Sequence, residues 1–334
     1  MKKLFSKCSK KPVNSEQRGS KQPENSEQLG SKLPKGRPPK ECEGYPYPMI
    51  PRDFIPEEEV DFYLPTLDGE ALACSLYRSL GPITTKVEGM GFGVDSSKPV
   101  IVVCHGYMSW RNQMLLAHLA GGLQKRLDLH TLRFDFTGNG HSTGTFRQAN
   151  YDGEYHDLQT VISFVQDKMK CRVACVVGHS KGAGAVLQTA AEQDTYDSSR
   201  RIPCFVNMSG RFYVQQEYDV EKRYGAEKAR VLQQTGRIVL DQKGARECIM
   251  TIDDLEERSK LDSLFVKNIE SATVLTIHGS KDGVVGVSNA HEFAKTITKH
   301  ELLIIEGADH NYNGLRHLQT MVDAVAKFVH KHDS

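Results

Sequence analysis

Short runs of apolar residues recur along most of the chain, and each run is followed by a polar or glycine-rich loop. Runs of about four to eight apolar residues bounded by turn residues are typical of strands that are buried on both faces of a sheet. Helical patterns occur between these runs, so strands and helices are expected to alternate, as in an α/β fold. The predicted strands are 99–104, 132–136, 173–177, 203–209, 272–277 and 302–305.

Near the start of this pattern, two strand-like segments surround a turn signal. Segments 61–64 and 71–77 flank Asp68 and Gly69, and an Asp-Gly pair between apolar segments is a strong signal of a hairpin. The sequence therefore predicts an antiparallel hairpin at one edge of the sheet.

A long stretch, from about 210 to 264, interrupts the alternation of strands and helices. Helical patterns occur at 226–234 and 253–260, the second preceded by Thr251 and Asp254 in capping-box spacing. Ligands of open α/β sheets bind outside the carboxyl ends of the strands, and an insertion here would lie over those ends. We predict a helical cap insertion, whose aromatic residues either line a pocket or form the core of the cap: Phe212, Tyr213, Tyr218 and Tyr224.

Directly after the predicted strand 173–177, the sequence Gly178-His179-Ser180-Lys181-Gly182 precedes a helical pattern at 183–193. A sharp turn from strand to helix lifts a serine hydroxyl clear of the backbone, and flanking glycines leave room for that turn. The alternative interpretation is a glycine-rich turn that happens to carry a serine. The first interpretation makes Ser180 a candidate nucleophile.

A serine nucleophile requires a base and an acid that orients the base, and both candidates lie after later strands. Asp282 follows the predicted strand 272–277, and His310 follows the predicted strand 302–305. Loops at strand ends converge on one edge of a sheet, so we expect Ser180, Asp282 and His310 to form a catalytic triad. Three neighbouring residues are weaker candidates. His278 suits packing at a strand end, His179 lies inside the turn, and Asp309 adjoins His310 and cannot easily turn back to it.

An acyl-transfer site also needs donors for the negative charge that develops on the attacked carbonyl oxygen. One donor is expected from the residue after the nucleophile, and the other from the loop after an earlier strand. The backbone N–H groups of Lys181 and Tyr107 occupy these positions, and Gly106 permits a close approach of the backbone.

Together these motifs resemble the α/β-hydrolase superfamily, and most of all its cinnamoyl/feruloyl-esterase-like and serine-aminopeptidase-like branch. The order Ser180, Asp282, His310 is the order found in α/β-hydrolases. The resemblance covers about residues 60 to 332. It implies a mostly parallel eight-stranded sheet flanked by helices, a Ser-His-Asp triad, no cofactor, and hydrolysis of carboxylic esters through an acyl-enzyme.

The composition adds limits to this prediction. With 39% hydrophobic and 25% charged residues among 334, the chain can bury one large core. No apolar run approaches the roughly 20 residues of a membrane span, and the basic first residues lack the apolar region of a secretory signal. The eight cysteines are scattered and lack zinc-site spacing. We therefore expect a cytoplasmic protein with reduced cysteines and no metal.

The first forty residues differ from the remainder of the chain. They carry eleven Lys/Arg and three Asp/Glu, a net charge of +8, whereas the whole chain has a net charge of +1. An eleven-residue repeat rich in Ser, Gln and Lys has too little apolar surface to fold, so residues 1–45 are predicted to be a disordered basic tail. Residues 35–40 faintly resemble a minor-groove AT-hook, and a merely solvated tail is the simpler interpretation. Binding of residues 1–40 to nucleic acid or to an anionic membrane surface is a minor hypothesis.

The sequence thus predicts an α/β-hydrolase domain over 58–334 with a cap insertion at about 210–264. The predicted activity is hydrolysis of a small-molecule carboxylic ester by a serine nucleophile. Two alternatives remain open, a serine aminopeptidase or amidase, and a catalytically silent hydrolase fold that acts as a binding module.

Overall fold

The computed structural model describes residues 59–195, 197–215, 218–240 and 248–333. A mostly parallel eight-stranded sheet flanked by helices lies at its centre, which confirms the predicted fold class. Within these ranges, no helix is both long and apolar enough to cross a lipid bilayer. The strands are β1 (Glu59–Pro65), β2 (Ala71–Tyr77), β3 (Thr85–Lys86), β4 (Gly93–Val94), β5 (Val100–Cys104), β6 (His130–Phe134), β7 (Val173–His179), β8 (Cys204–Met208), β9 (Arg237–Leu240), β10 (Cys248–Thr251), β11 (Thr273–Gly279) and β12 (His300–Ile305).

Helices lie between the strands of this sheet along the chain, and one more follows the last strand. A 3-10 helix at Ser263–Asn268 precedes β11. The α-helices are α1 (Met114–Leu127), α2 (Tyr151–Asp167), α3 (Gly182–Glu192), α4 (Val220–Tyr224), α5 (Ala226–Thr235), α6 (Ile252–Ser259), α7 (Ser288–Thr296) and α8 (Leu315–His332).

The strand order in the large sheet is β1-β2-β6-β5-β7-β8-β11-β12. The β1–β2 and β2–β6 pairs are antiparallel and the other pairs are parallel. The predicted hairpin is therefore present at the sheet edge, with Gly69 at a φ of 83° in its turn, a backbone conformation that suits glycine. Because β5, β7, β8, β11 and β12 are parallel, the loops that follow them meet at one edge of the sheet.

Helices cover both faces of the sheet, so its central strands are apolar on both sides. Along β5, Val100 and Val102 pack into a core with α2, α3 and α7, whereas Ile101 and Val103 pack into a second core with α1 and α8. This arrangement explains why the central strands appear in the sequence as continuous apolar runs. The six described cysteines are all buried and free: Cys74, Cys104, Cys171, Cys175, Cys204 and Cys248.

Between β8 and β11 the chain forms α4, α5, an antiparallel β9–β10 pair and α6. The helical patterns at 226–234 and 253–260 correspond to α5 and α6. At the start of α6, Thr251 and Asp254 form the reciprocal hydrogen bonds of a capping box, as their spacing predicts. The β9–β10 pair is an element that the helical-cap prediction does not include. A cap over 210–264 and a domain over 58–334 stay predictions.

The predicted basic tail at residues 1–45 lies outside the described residues. The hypotheses about nucleic acid and anionic membrane surfaces, which concern residues 1–40, therefore stay predictions as well.

Candidate active site

The turn between β7 and α3 exposes the hydroxyl of Ser180. This serine has a φ of 54°, in the left-handed region that non-glycine residues rarely adopt. Its backbone N–H donates a 2.8 Å hydrogen bond to the carbonyl oxygen of Met208 at the end of the neighbouring strand β8. The conformation is thus held by the sheet, and it is the sharp strand-to-helix turn that the sequence predicts.

Close backbone contacts explain the glycines of this turn. A Cβ on Gly178 would lie 2.7 Å from the carbonyl oxygen of Gly182, and a Cβ on Gly182 would clash with the carbonyl oxygen of His105. A Cβ on Gly106 would lie 3.0 Å from the Cβ of Ser180. The loop after β5 therefore lies directly against the turn that carries Ser180.

This packing predicts that Gly182→Ala destabilises the fold. The new methyl group would have to displace the loop after β5, and overpacking of this kind costs about 1–3 kcal/mol of unfolding free energy. Gly184→Ala, two residues further along α3, is the matched control, since its Cβ would meet only the ring of Tyr151 at 3.8 Å. Urea denaturation of both variants measures the effect. Equal stabilities would contradict the packing described here.

The structure brings the three predicted side chains into one hydrogen-bonded row. Nε2 of His310 lies 3.0 Å from Oγ of Ser180, and Nδ1 of His310 lies 2.8 Å from Oδ2 of Asp282. Because an ionised carboxylate only accepts hydrogen bonds, the proton of the neutral ring is assigned to Nδ1, which leaves Nε2 free to accept the Ser180 proton. This arrangement suits nucleophilic attack by Ser180.

Four donors surround the carboxylate of Asp282, and one of them, Nε2 of His278, also lies 2.8 Å from the carbonyl oxygen of Val285. Its Oδ1 accepts hydrogen bonds of 2.8 Å from the backbone N–H groups of Val284 and Val285, and its Oδ2 lies 3.2 Å from Nε2 of His278 as well as near His310. Burial alone would raise the pKa of the Asp282 carboxyl, but hydrogen bonds from His278 and His310 outweigh burial and hold the pKa well below its usual range. Asp282 is therefore ionised opposite His310.

His179 and Asp309, two of the weaker candidates, bond to other groups and not to Ser180 or to the side chain of His310. His179 donates from Nε2 to the backbone carbonyl of His310 at 2.9 Å, and burial first, then the nearby His310, lower the pKa of His179 to about 3. Asp309 instead accepts hydrogen bonds from Asn311 and Asn313. The sequence analysis interpreted His278 as strand-end packing, and missed its contact with Asp282, because nothing in the local pattern reveals a contact across the following loop.

Two backbone donors lie beside Ser180. The N–H groups of Tyr107 and Lys181 donate no hydrogen bond to any described residue. The first belongs to the loop that packs against Ser180, and the second immediately precedes the N-terminus of α3, where the helix dipole favours negative charge. These two groups are free to bind an oxyanion.

The side chain of Lys181 forms a buried ion pair that the sequence did not reveal. Its Nζ lies 2.6 Å from Oε1 of Glu154 on α2 and 4.7 Å from the ring centroid of Tyr151. Both members of the pair are almost fully buried, so removing either partner alone would leave an uncompensated charge. The pair ties the residue after Ser180 to α2 and fixes the position of its backbone.

A cavity of about 410 Å³ opens onto Ser180. Apolar side chains form one part of its wall: Ala183, Leu187 and Ala191 of α3, together with Phe265 and Phe293. The segment between β8 and β11 lines the cavity with three arginines that the sequence analysis did not single out: Arg211, Arg223 and Arg258. In the described part of the chain, no group of three or more His, Cys, Asp and Glu side chains could hold a metal ion.

Tyrosines connect this segment to the loop after β5. The hydroxyl of Tyr224 lies 3.0 Å from the hydroxyl of Tyr107 and 2.8 Å from that of Tyr218. Burial first, then the two neighbouring tyrosines, raise the pKa of Tyr107 well above its usual range, so its phenol stays protonated. Of the predicted aromatic residues, Tyr218 lines the cavity and Tyr224 packs in a hydrophobic cluster of the segment. Phe212 and Tyr213 do neither, since they pack in the core of the main domain, where Phe212 contacts Phe293.

Solved structures of other proteins share this fold at low sequence identity. A putative hydrolase from Agrobacterium vitis S4 is 17% identical with a TM-score of 0.63, covering 82% of this chain and 99% of that chain. Est1E from Butyrivibrio proteoclasticus with bound ferulic acid is 18% identical with a TM-score of 0.61, covering 81% and 98%. The Pyrococcus furiosus esterase Pf2001 is 18% identical with a TM-score of 0.59, covering 86% and 99%.

A search of curated protein sequences found no significant match. A protein-family model described as serine aminopeptidase, S33, matches residues 95–263, just over half of the chain. The match includes the loop after β5, the turn at Ser180 and most of the segment between β8 and β11. It confirms the resemblance indicated by the motifs. The chain therefore belongs to the serine aminopeptidase S33 family of α/β-hydrolases.

Proposed function

We propose that this hydrolase cleaves carboxylic esters through an acyl-enzyme formed on Ser180. The observation that carries the proposal is the hydrogen-bonded row from Ser180 through His310 to Asp282, with the serine held at a strained φ of 54°. A serine, a histidine and an ionised aspartate in this geometry are the components of an acyl-transfer site.

In the proposed reaction, Oγ of Ser180 attacks the ester carbonyl carbon while Nε2 of His310 takes the hydroxyl proton. The carbonyl oxygen becomes an oxyanion that accepts hydrogen bonds from the N–H groups of Tyr107 and Lys181. The oxyanion collapses, the alcohol leaves with the proton from His310, and the acyl group stays on Ser180. In the second half of the reaction, His310 takes a proton from a water molecule, whose oxygen attacks the acyl carbon. The carboxylic acid is released, and Ser180 regains its proton from His310. Throughout, Asp282 holds the Nδ1–H tautomer and balances the charge of the imidazolium.

We also propose that residues of about 210–264 act as a cap that shapes the substrate site. Arg211, Tyr218, Arg223 and Arg258 from this segment line the cavity above Ser180, and Tyr224 bonds to Tyr107. Because this part of the cavity wall comes from an insertion, it can change in sequence without altering the loops that carry Ser180, Asp282 and His310. We therefore expect the insertion to determine substrate specificity.

An ester substrate is favoured over an aminopeptidase substrate by the charges in the cavity. An aminopeptidase must accept the α-ammonium of its substrate close to the nucleophile, but Arg211, Arg223 and Arg258 would repel a cation there. Among the relatives in fold, Pf2001 is named as an esterase and Est1E binds ferulic acid. Both observations support the ester hydrolase.

The experiment that tests this function compares three chromogenic substrates with the same three-carbon acyl chain. We expect hydrolysis of p-nitrophenyl propionate, and no preference for alanyl p-nitroanilide over propionyl p-nitroanilide, since the three arginines of the cavity would repel the α-ammonium. Faster turnover of the alanyl anilide than of the ester would identify an aminopeptidase. Turnover of none of the three by the folded protein would identify a silent fold.

A further inference from the structure

Three arginines from separate elements converge on the cavity that contains Ser180. Arg211 belongs to the loop after β8, Arg223 to α4 and Arg258 to α6. Arg258 is only 9% exposed, Arg211 is half-buried and Arg223 is exposed. Charged groups are seldom buried without a partner, so the burial of the Arg258 charge, with a second arginine half-buried beside it, needs an explanation.

None of the three guanidinium groups has an acidic partner among the described residues. Arg258 donates from Nη1 to the hydroxyl of Tyr151 at 3.1 Å, and its buried Nε has no hydrogen-bond partner within the described ranges. Arg211 donates from Nη2 to the carbonyl oxygen of Val284 at 2.8 Å. These contacts orient the guanidinium groups, and within the described ranges no carboxylate compensates their positive charge.

Aromatic rings provide the other contacts of the cluster. The guanidinium carbons of Arg223 and Arg258 each lie 5.0 Å from the ring centroid of Tyr218, and that of Arg223 lies 5.9 Å from the ring of Tyr107. Cation–π contacts hold an arginine in place but contribute much less than a carboxylate partner. The arginines are thus held in the cavity that contains Ser180, with N–H donors that no described residue occupies.

The acidic side chains that line the same cavity do not neutralise the cluster. Glu192 accepts a hydrogen bond from Gln188 at the far end of α3, and Asp262 caps the N–H of Leu264. Asp152 is exposed on α2. Burial first, then the like charges of Arg258 and Arg223, lower the pKa of Arg211 from its ordinary value, so the three groups repel one another within the cavity.

We propose, on the basis of the ester hydrolase proposed above, that Arg211, Arg223 and Arg258 form a subsite for an oxyanion, so that the preferred substrates are carboxylic esters bearing a second, negatively charged group. The planar guanidinium fork matches a carboxylate or a phosphate, and such an anion supplies a counter-charge that no described residue gives this cluster. An uncharged substrate would leave the mutual repulsion in place.

The substrate test uses pairs in which one member carries the anion and the other does not. For an anion in the acyl part, the p-nitrophenyl monoester of glutaric acid is compared with that of glutaramic acid, in which a carboxamide replaces the carboxylate. For an anion in the alcohol part, 4-acetoxybenzoate is compared with 4-acetoxybenzamide, and acetylated glycerol 3-phosphate with monoacetylglycerol. We expect the anionic member of at least one pair to have a kcat/KM higher by roughly tenfold to a hundredfold, the range for hydrogen bonds to a charged group.

Variants then assign the preference to the cluster. Arg211→Gln and Arg258→Gln should each lower the ratio of anionic to neutral kcat/KM by about tenfold. Arg230→Gln is the matched control, because Arg230 is an exposed arginine of α5 that does not line the cavity, and its ratio should stay unchanged. If Arg258→Gln does not fold, the half-buried Arg211 still decides the outcome. A merely structural role would alter stability without altering this ratio.

A binding measurement separates failure of this inference from failure of the proposed function. Calorimetric titration of the Ser180→Ala protein with each glutaric ester and with 4-acetoxybenzoate and its amide needs no turnover. Tighter binding of an anionic member supports the subsite even if no ester is hydrolysed. Equal kcat/KM values and equal affinities within every pair, or a preference that survives both arginine substitutions, would overturn it.

Discussion

Replacement of Ser180 by alanine is expected to lower kcat/KM on esters by about 10³-fold or more while the fold persists. The Ser180 hydroxyl bonds to His310 and contributes little to packing. Its removal should therefore change the melting temperature by no more than a few degrees. Ester kinetics and a melting curve measure the two effects.

Ser263→Ala is the matched control for this variant. Ser263 lines the same cavity but makes no hydrogen bond to His310, so its removal should cost far less activity. Turnover by the Ser180→Ala protein at the wild-type rate, with contaminating esterases excluded, would contradict the assignment of the nucleophile.

Asp282→Asn is expected to have the second large effect, a loss of about 10³- to 10⁴-fold in kcat. The asparagine oxygen can still accept from Val284 and Val285, but its NH₂ group would then face the Nδ1–H of His310, and two donors cannot bond. His310 would therefore favour the tautomer with its proton on Nε2, which cannot accept the Ser180 proton.

The neighbouring Asp309 provides the control for this substitution. Its carboxylate bonds to Asn311 and Asn313, so Asp309→Asn should retain most of the activity. If the two variants had equal activities, or if Asp309→Asn were the more damaging, the orienting role of Asp282 would be wrong.

Because the pKa of Asp282 is lowered in the folded protein, the stability difference between wild type and Asp282→Asn should depend on pH. A carboxyl whose pKa is lower in the folded than in the unfolded protein stabilises the fold above its unfolded value of about 3.9, and this contribution is lost as the pH falls towards the folded pKa. The difference in unfolding free energy between wild type and Asp282→Asn should therefore be largest above about pH 5 and shrink in more acidic solution. Urea denaturation at several pH values measures it.

The sequence predicts the fold and the positions around Ser180 because their signals are local. A strand that is apolar on both faces, followed by a glycine-bounded turn and a helix, has few other interpretations, and β7 and α3 lie where this pattern places them. The capping box of Thr251 and Asp254 is equally local. Asp282 and His310 could be selected because the carboxyl ends of parallel strands share one sheet edge.

Contacts across large sequence separations could not be predicted in the same way. The pair of Lys181 with Glu154 joins the start of α3 to α2, and the contact of Arg258 with Tyr151 joins α6 to the start of α2. No periodicity specifies these partners, since a lysine or an arginine on a helix is usually solvated. The β9–β10 pair was missed because its two strands are only four residues each and pair outside the main sheet.

Identification of the acylated residue tests the central claim most directly. Wild-type protein is mixed with p-nitrophenyl acetate, quenched in acid before the steady state, and digested for peptide mass mapping. The account predicts one acetyl group on Ser180 and none on the Ser180→Ala protein. Acetyl groups on another residue, or sustained ester turnover with no acylated intermediate at Ser180, would contradict it.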